Sequence, residues 1–242
     1  MKKLRLDVLL RKKGTARSRN RAKRLIKQGK VIVNGDVITK PSTKVDKDIK
    51  ISITEPLQYA SRAGHKLEKA LREFRVNPEG LIVLDVGTST GGFVDCLLQN
   101  GAKKIYAVDV GKEQLLEHLR KNPKIVSMEQ TDIRDVRELP EKVELATVDV
   151  SFISLTKVLP KVQELIKNRG DIVALIKPQF EVGPEYVGKG GLVKAEHQEK
   201  ALEKIQSWTK QHPKLEVRNI TESPLEGSKG GNREFLIHLR KI

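Results

Sequence analysis

The chain has 242 residues, with 47 Lys and Arg against 31 Asp and Glu, a formal net charge of +16 and 38% hydrophobic residues. That length buries a real core in one large or two modest domains, and no apolar run approaches the roughly 18 residues of a membrane-spanning helix. The single cysteine, Cys96, excludes an internal disulfide and a cysteine metal cluster, and the five histidines have no metal-ligand spacing.

The start, MKKLRLDVLLRKKG, is basic but has no apolar core or small-residue cleavage site. It does not read as a secretory signal, so a soluble protein of a reducing cytoplasm is expected. Charge is concentrated here: residues 1–58 hold 17 Lys and Arg against 5 Asp and Glu, a net +12, whereas the other 184 residues carry only +4. A local excess of this kind is the footprint of a polyanion binder, and nucleic acid is the expected partner.

Leu4, Leu6, Leu9 and Leu10 predict a short amphipathic helix ending near Gly14. A second helix starts at Ser18 as N-cap, carries Ala22, Leu25 and Ile26 on one face and stops at Gly29. Val31–Val33, the turn signal Asn34-Gly35 and Val37-Ile38 then predict a hairpin, and the alternating run 49–53 a last strand. Arg5 and, on the second helix, Arg17, Arg19, Arg21, Lys23, Arg24 and Lys27 are the candidate RNA contacts, in excess of what the apolar stripe needs. Basic side chains of this kind meet phosphates and position the protein. Aromatic stacking residues are absent from the module, which favours folded RNA over a single strand.

Residues 54–60, TEPLQYA, read as a short semi-rigid linker. Beyond it, apolar runs at 81–86, 104–108, 124–128, 143–150, 171–176, 215–220 and 234–239 alternate with helix-compatible stretches. The alternation predicts an α/β domain over 61–242, a doubly wound sheet covered on both faces.

The run LIVLDVGTSTGGF (81–93) is a buried strand, a glycine-rich turn and the start of a helix, the place where open α/β sheets bind ligands. Its candidate cofactor residues are Asp85, Gly87, Thr88, Ser89, Gly91, Gly92 and Phe93. A carboxylate at Asp85 disfavours a phosphate and suits a cationic amine, as in S-adenosylmethionine. Asp109 ends the next strand, where an acid takes two ribose hydroxyls, although nicotinamide enzymes share that feature. No GKS or GKT follows, so a phosphate-binding loop of the Walker type is excluded.

Lys177 ends a buried apolar strand and is followed at once by Pro178, a position where lysine is uncommon without cause. Asp149 ends the preceding strand in the same topological place, so both face one crevice. Glu234 opens the last strand after a glycine-rich loop; Lys66 opens a helix and by itself reads as a surface lysine. Two glycine-lysine loops, 181–194 and 223–234, flank these positions, and Lys189 and Lys229 are candidate substrate contacts.

Taken in order, Lys66, Asp149, Lys177 and Glu234 around LDVGTSTGGF resemble the Lys-Asp-Lys-Glu tetrad of the FtsJ-like RNA ribose 2′-O-methyltransferases. SRNRAKRLIKQGKVIVNG and its flanking segments (1–53) resemble the S-four-type RNA-binding domain, and the whole chain resembles the TlyA branch, which joins the two. The resemblance implies a seven-stranded Rossmann-like methyltransferase sheet with an antiparallel last strand, S-adenosylmethionine as cofactor, and ribosomal RNA, at cytidine, as substrate. It implies Lys177 as base or hydroxyl-activating group held by Asp149, with Lys66 and Glu234 completing the network. Asp132, with Ile133, would meet adenine, although Asp132 reads equally well as a turn or N-cap residue. A monomer without metal is expected. The alternatives are a non-enzymatic RNA-binding or ribosome-assembly protein, a nicotinamide enzyme, and a pseudouridine synthase, for which no Gly-Arg-Leu-Asp-like aspartate is present. The haemolysin label carried by some family members finds no support in any apolar segment.

Overall fold

The computed structural model describes residues 3–34, 36–53, 58–226 and 231–242. The chain divides into two compact units, residues 1–58 and 59–242. Among the described residues no helix is long and apolar enough to cross a membrane.

The first unit runs β1 (Lys3–Arg5), α1 (Leu6–Lys12), α2 (Arg19–Lys27), β2 (Val31–Val33), β3 (Asp36–Val37), β4 (Lys44–Asp46) and β5 (Ile51–Ile53). The first helix starts two residues later than the leucine pattern suggests, because Leu4 lies in β1 and pairs with Val45 of β4. Ser18 caps α2 by accepting from the Arg21 N–H at 3.1 Å, and Gly29 takes a φ of +69° just beyond the helix. Leu6, Leu9 and Leu10 pack with Ala22, Leu25, Ile26 and Val31 into one small core. β2 pairs with both β3 and β5; of the predicted turn, Asn34 has a φ of +51° and Gly35 lies outside the described residues. One charge is inside: Asp7 is fully buried, and its carboxylate accepts from Arg5 and Arg19. A buried carboxylate needs such partners, and the Arg5 hydrogen bond, helped by Arg19, holds Asp7 below the usual carboxylate range.

The second unit is a seven-stranded sheet with helices on both faces. Its elements are α3 (Ala63–Phe74), β6 (Ile82–Val86), α4 (Gly92–Gln99), β7 (Lys104–Val108), α5 (Glu117–Arg120), β8 (Ile125–Met128), β9 (Val143–Val148), α6 (Leu155–Leu165), β10 (Ile166–Ile176), α7 (Pro178–Glu181), α8 (Ala195–Lys210), β11 (Leu215–Glu222) and β12 (Phe235–Lys241). The strand order is β11-β12-β10-β9-β6-β7-β8. β10, β9, β6, β7 and β8 are parallel, while β12 inserts antiparallel between β10 and β11. The inner strands β6, β7, β9 and β10 carry runs covered on both faces, as burial of a parallel sheet requires, whereas the edge strand β8 leaves Val126 exposed. Of the expected linker, 54–60, only the last three residues are among those described. Thr54–Leu57 lie outside the described residues, but Tyr59 and Ala60 are buried in this unit's core, and the Ala60 N–H donates to Asp95 at 2.6 Å.

Candidate active site

Sheet register brings the tetrad to one edge. β9 and β10 are parallel neighbours, so Asp149 and Lys177, each just past a strand end, sit side by side. β12 runs antiparallel to β10 with Phe235 opposite Ile176, which places Glu234 next to Lys177 at the same end. α3 supplies the fourth member: Lys66 is 5% exposed and forms a buried ion pair with Glu234, itself 3% exposed. The surface-lysine reading of Lys66 is thereby replaced, since a buried lysine needs a charge partner and has one.

Lys177 Nζ forms an ion pair with Asp149 Oδ1 at 2.6 Å and donates to Ser151 Oγ at 3.0 Å. Asp149 also touches the glycine turn. Gly87 has a φ of +84°, and a Cβ there would stand 2.5 Å from the Asp149 carbonyl oxygen, so only glycine fits.

Next to this pair is a cavity of about 340 Å³ lined by Gly87, Ser89, Asp109, Asp132, Ile133 and Asp149, among others. Asp109 is held rigidly: its Oδ2 accepts from the Ser89 N–H at 2.6 Å and its Oδ1 from the Gly111 N–H at 2.7 Å. Ser89 reaches this position with a φ of +47°. Asp132 caps the 3₁₀ turn Ile133–Asp135 and pairs with Arg134 at 2.6 Å, which holds its carboxyl below the usual range. The N-cap reading of Asp132 is what the geometry shows, though the residue also lines the cavity.

Five turn residues expected at the cofactor do not line this cavity. Gly91, with a φ of +92°, packs on Leu115 and Leu119, and Gly92 lies against Ser61, Ala63 and Gly64. Phe93 belongs to the core, and the Thr88 hydroxyl is buried against the Asp85 and Val108 carbonyls. Asp85 is 1% exposed beneath the turn, with Oδ1 accepting from the Thr147 hydroxyl at 2.6 Å and Oδ2 buried without a hydrogen-bond partner. Burial pushes its carboxyl up to about 7, against the opposing pull of the Thr147 bond. The sequence shows a strand, a turn and a helix start here, but not which way their side chains face.

A wider, open cleft of about 990 Å³ adjoins the cavity through Val110, Asp132 and Phe152 and is bordered by Arg134, Lys157 and Lys204. Phe152 stands 86% exposed at a φ of +65°, its ring 5.1 Å from that of Phe180. The sequence reading missed this pair. The only signal was an aromatic three residues past a strand-end aspartate. Lys189 lies exposed on a short hairpin closed by a bridge between Val187 and Val193; Lys229 lies outside the described residues.

In the first unit, Arg17 and Lys27 are exposed, whereas Arg5 and Arg19 are engaged by Asp7. Those two serve the fold as much as any ligand. Arg21, Lys23 and Arg24 lie half-buried along α2.

A parallel sheet with an antiparallel strand inserted near its edge, a glycine turn and a Lys-Asp-Lys-Glu edge define a class, and comparison with known families agrees: residues 59–241 match the FtsJ-like methyltransferase family and residues 4–48 the S4 domain. The chain belongs to the FtsJ-like methyltransferases, in the branch whose members are named TlyA. It is 45% identical over 98% of its length to a Bacillus subtilis protein named as a candidate rRNA methyltransferase, covering 86% of that protein. It is 41% identical over 79% of its length to the Mycobacterium tuberculosis 16S/23S rRNA (cytidine-2′-O)-methyltransferase TlyA, covering 73% of that chain. The solved structure of a Streptococcus thermophilus protein, named as a candidate hemolysin, superimposes with a TM-score of 0.77 at 42% identity, over 100% of this chain and 89% of that one.

Proposed function

We propose that this chain methylates the 2′-hydroxyl of a ribose, that of cytidine, in ribosomal RNA in the cytoplasm, using S-adenosylmethionine. Residues 1–53 dock the RNA and residues 61–242 carry the chemistry. The observation that carries the reading is the convergence of two lysine–carboxylate pairs, Lys177–Asp149 and Lys66–Glu234, at the sheet edge beside the Gly87 turn.

The residues present fit the cofactor. The Asp109 carboxylate, aimed by two backbone N–H groups, suits a pair of ribose hydroxyls, and Ile133 and Val110 supply apolar walls for an adenine. The unpartnered Asp85 Oδ2 beneath the turn is an acceptor that a cationic amine or its water satisfies. When bound, S-adenosylmethionine supplies a methyl group on a sulfonium, already a strong electrophile.

The protein's part is then alignment and proton removal. Lys177, fixed by Asp149 and Ser151, meets the ribose oxygen, holds it in line with the methyl carbon and is the group that receives the hydroxyl proton. The cofactor, held by Asp109, Val110 and Ile133, would supply the methyl group and keep the C–S electron pair as a neutral thioether. Lys66 and Glu234 keep the neighbouring strand start in register. Phe152 and Phe180 offer an apolar surface for the base, and Arg134, Lys157 and Lys204 lie near the phosphates.

The test is nucleoside analysis of ribosomal RNA from a strain lacking the gene. The reading expects 2′-O-methylcytidine to fall and to return with the wild-type gene. An unchanged 2′-O-methyl content, with a base methylation lost instead, overturns it.

A further inference from the structure

Two buried amides lie outside the site just described. Asn232 is 3% exposed and Gln198 of α8 is 4% exposed. Asn232 Oδ1 accepts from the Val193 N–H at 2.9 Å, while its Nδ2 donates to Gln179 Oε1 at 3.0 Å and to the Gly191 carbonyl at 2.8 Å. Gln198 holds the same residue, Val193, through its carbonyl. Its Nε2 donates to the Val193 carbonyl at 2.7 Å, and its Oε1 accepts from the Arg233 N–H at 2.9 Å. The two side chains therefore join three segments that no β-ladder connects: α7, the 187–193 hairpin and the residues leading into β12.

Each segment has a place in the site. Gln179 is two residues beyond Lys177 and lines the cleft with Val182, Pro184 and Val187. The hairpin, closed by the Val187–Val193 bridge and the Gly188 N–H to Leu192 carbonyl bond at 2.7 Å, carries Lys189. Asn232 itself stands two residues before Glu234. A fully satisfied buried amide specifies one arrangement of its partners, because any shift leaves polar atoms unpaired.

We propose that Asn232, backed by Gln198, is a positioning residue for methyl transfer: it locks the hairpin and cleft wall to the strand start that holds Glu234 against Lys66. The hairpin that meets the RNA and the edge that carries the tetrad then move as one body. The proposal rests on the ribose-methylation reading.

The test is Asn232→Asp, nearly isosteric, which turns the two donated bonds into oxygen–oxygen contacts, with Gln198→Ala as a second variant. Methyl transfer to ribosomal subunits, calorimetric S-adenosylmethionine binding and amide hydrogen exchange are measured on the full-length chain. The expected result is a fall in kcat of about tenfold or more, with cofactor affinity within about twofold of wild type, since neither amide lines the cofactor cavity. Exchange is expected to rise together at 187–193 and 233–236. Wild-type kcat with faster exchange confined to 187–193 overturns the proposal. So does a loss shared equally by cofactor binding and exchange over the whole sheet, which marks a folding role. Should the wild type itself transfer no methyl to RNA, the functional reading fails, and exchange decides the coupling alone: a joint rise sustains it and a local rise refutes it.

Discussion

At the scale of single residues, burial separates groups that look alike in sequence. Asp85 and Asp109 are both strand-end aspartates, yet one is sealed beneath the turn and the other faces the cavity. For Asp85 the folded-state value of about 7 lies above the ordinary value of an unfolded aspartate. The native state therefore binds the proton more tightly, so this group's contribution favours folding at low pH and is lost as pH rises between about 4 and 7. Asp85→Asn is expected to remove that slope, gaining stability relative to wild type above pH 7 while weakening S-adenosylmethionine binding. Unfolding by urea at pH 5 and pH 8 measures it; parallel pH profiles for variant and wild type would contradict the assignment. Lys177 and Asp149 were legible because a lysine and an acid each end an apolar run. Lys66 was legible only through family resemblance, since its partner is distant in the chain and nothing local marks it as buried.

At the scale of elements, the sheet end that carries Asp149 and Lys177 is braced by a buried carboxylate. Beyond Lys177, Glu181 turns inward at 4% exposure. Its Oε1 accepts from the Leu155 N–H at 2.7 Å and its Oε2 from the Ser154 hydroxyl at 2.5 Å, while Lys204 of α8 donates to its carbonyl at 2.7 Å. One carboxylate thus satisfies the open N-terminus of α6 and ties it to α7, which keeps the 149–154 and 177–181 segments together. Glu181→Ala leaves those donors unmet and is expected to destabilise the chain by about 2–3 kcal/mol, read as a lower urea midpoint. A midpoint unchanged from wild type would show that water replaces the carboxylate. The seven long strands were readable from apolar runs. β1 and β4 were not: they are three residues each and pair only with one another, so neither carries a period long enough to see. Tyr59 and Ala60 read as connector in the sequence, because nothing local marks their burial against α4.

For the whole molecule, the proposed function makes the +12 of the first quarter the term that brings RNA to the enzyme. Substituting exposed Arg17 and Lys27 by Glu is expected to weaken rRNA binding and lower the slope of log affinity against log salt by about 2, counting roughly 0.9 for each lost phosphate contact. Cofactor binding should not change; an unaltered salt slope would place the RNA contacts elsewhere. The measurement that bears most directly on the account is transfer of labelled methyl from S-adenosylmethionine to ribosomal subunits from a strain lacking the gene. Wild type and Lys177→Ala are run side by side, and the RNA is digested to nucleosides. The account predicts label in a 2′-O-methylnucleoside with the wild type, and a loss of at least about a hundredfold with a variant that still binds the cofactor. Label on a base, or undiminished transfer by Lys177→Ala, would contradict the role given to the Lys177–Asp149 pair.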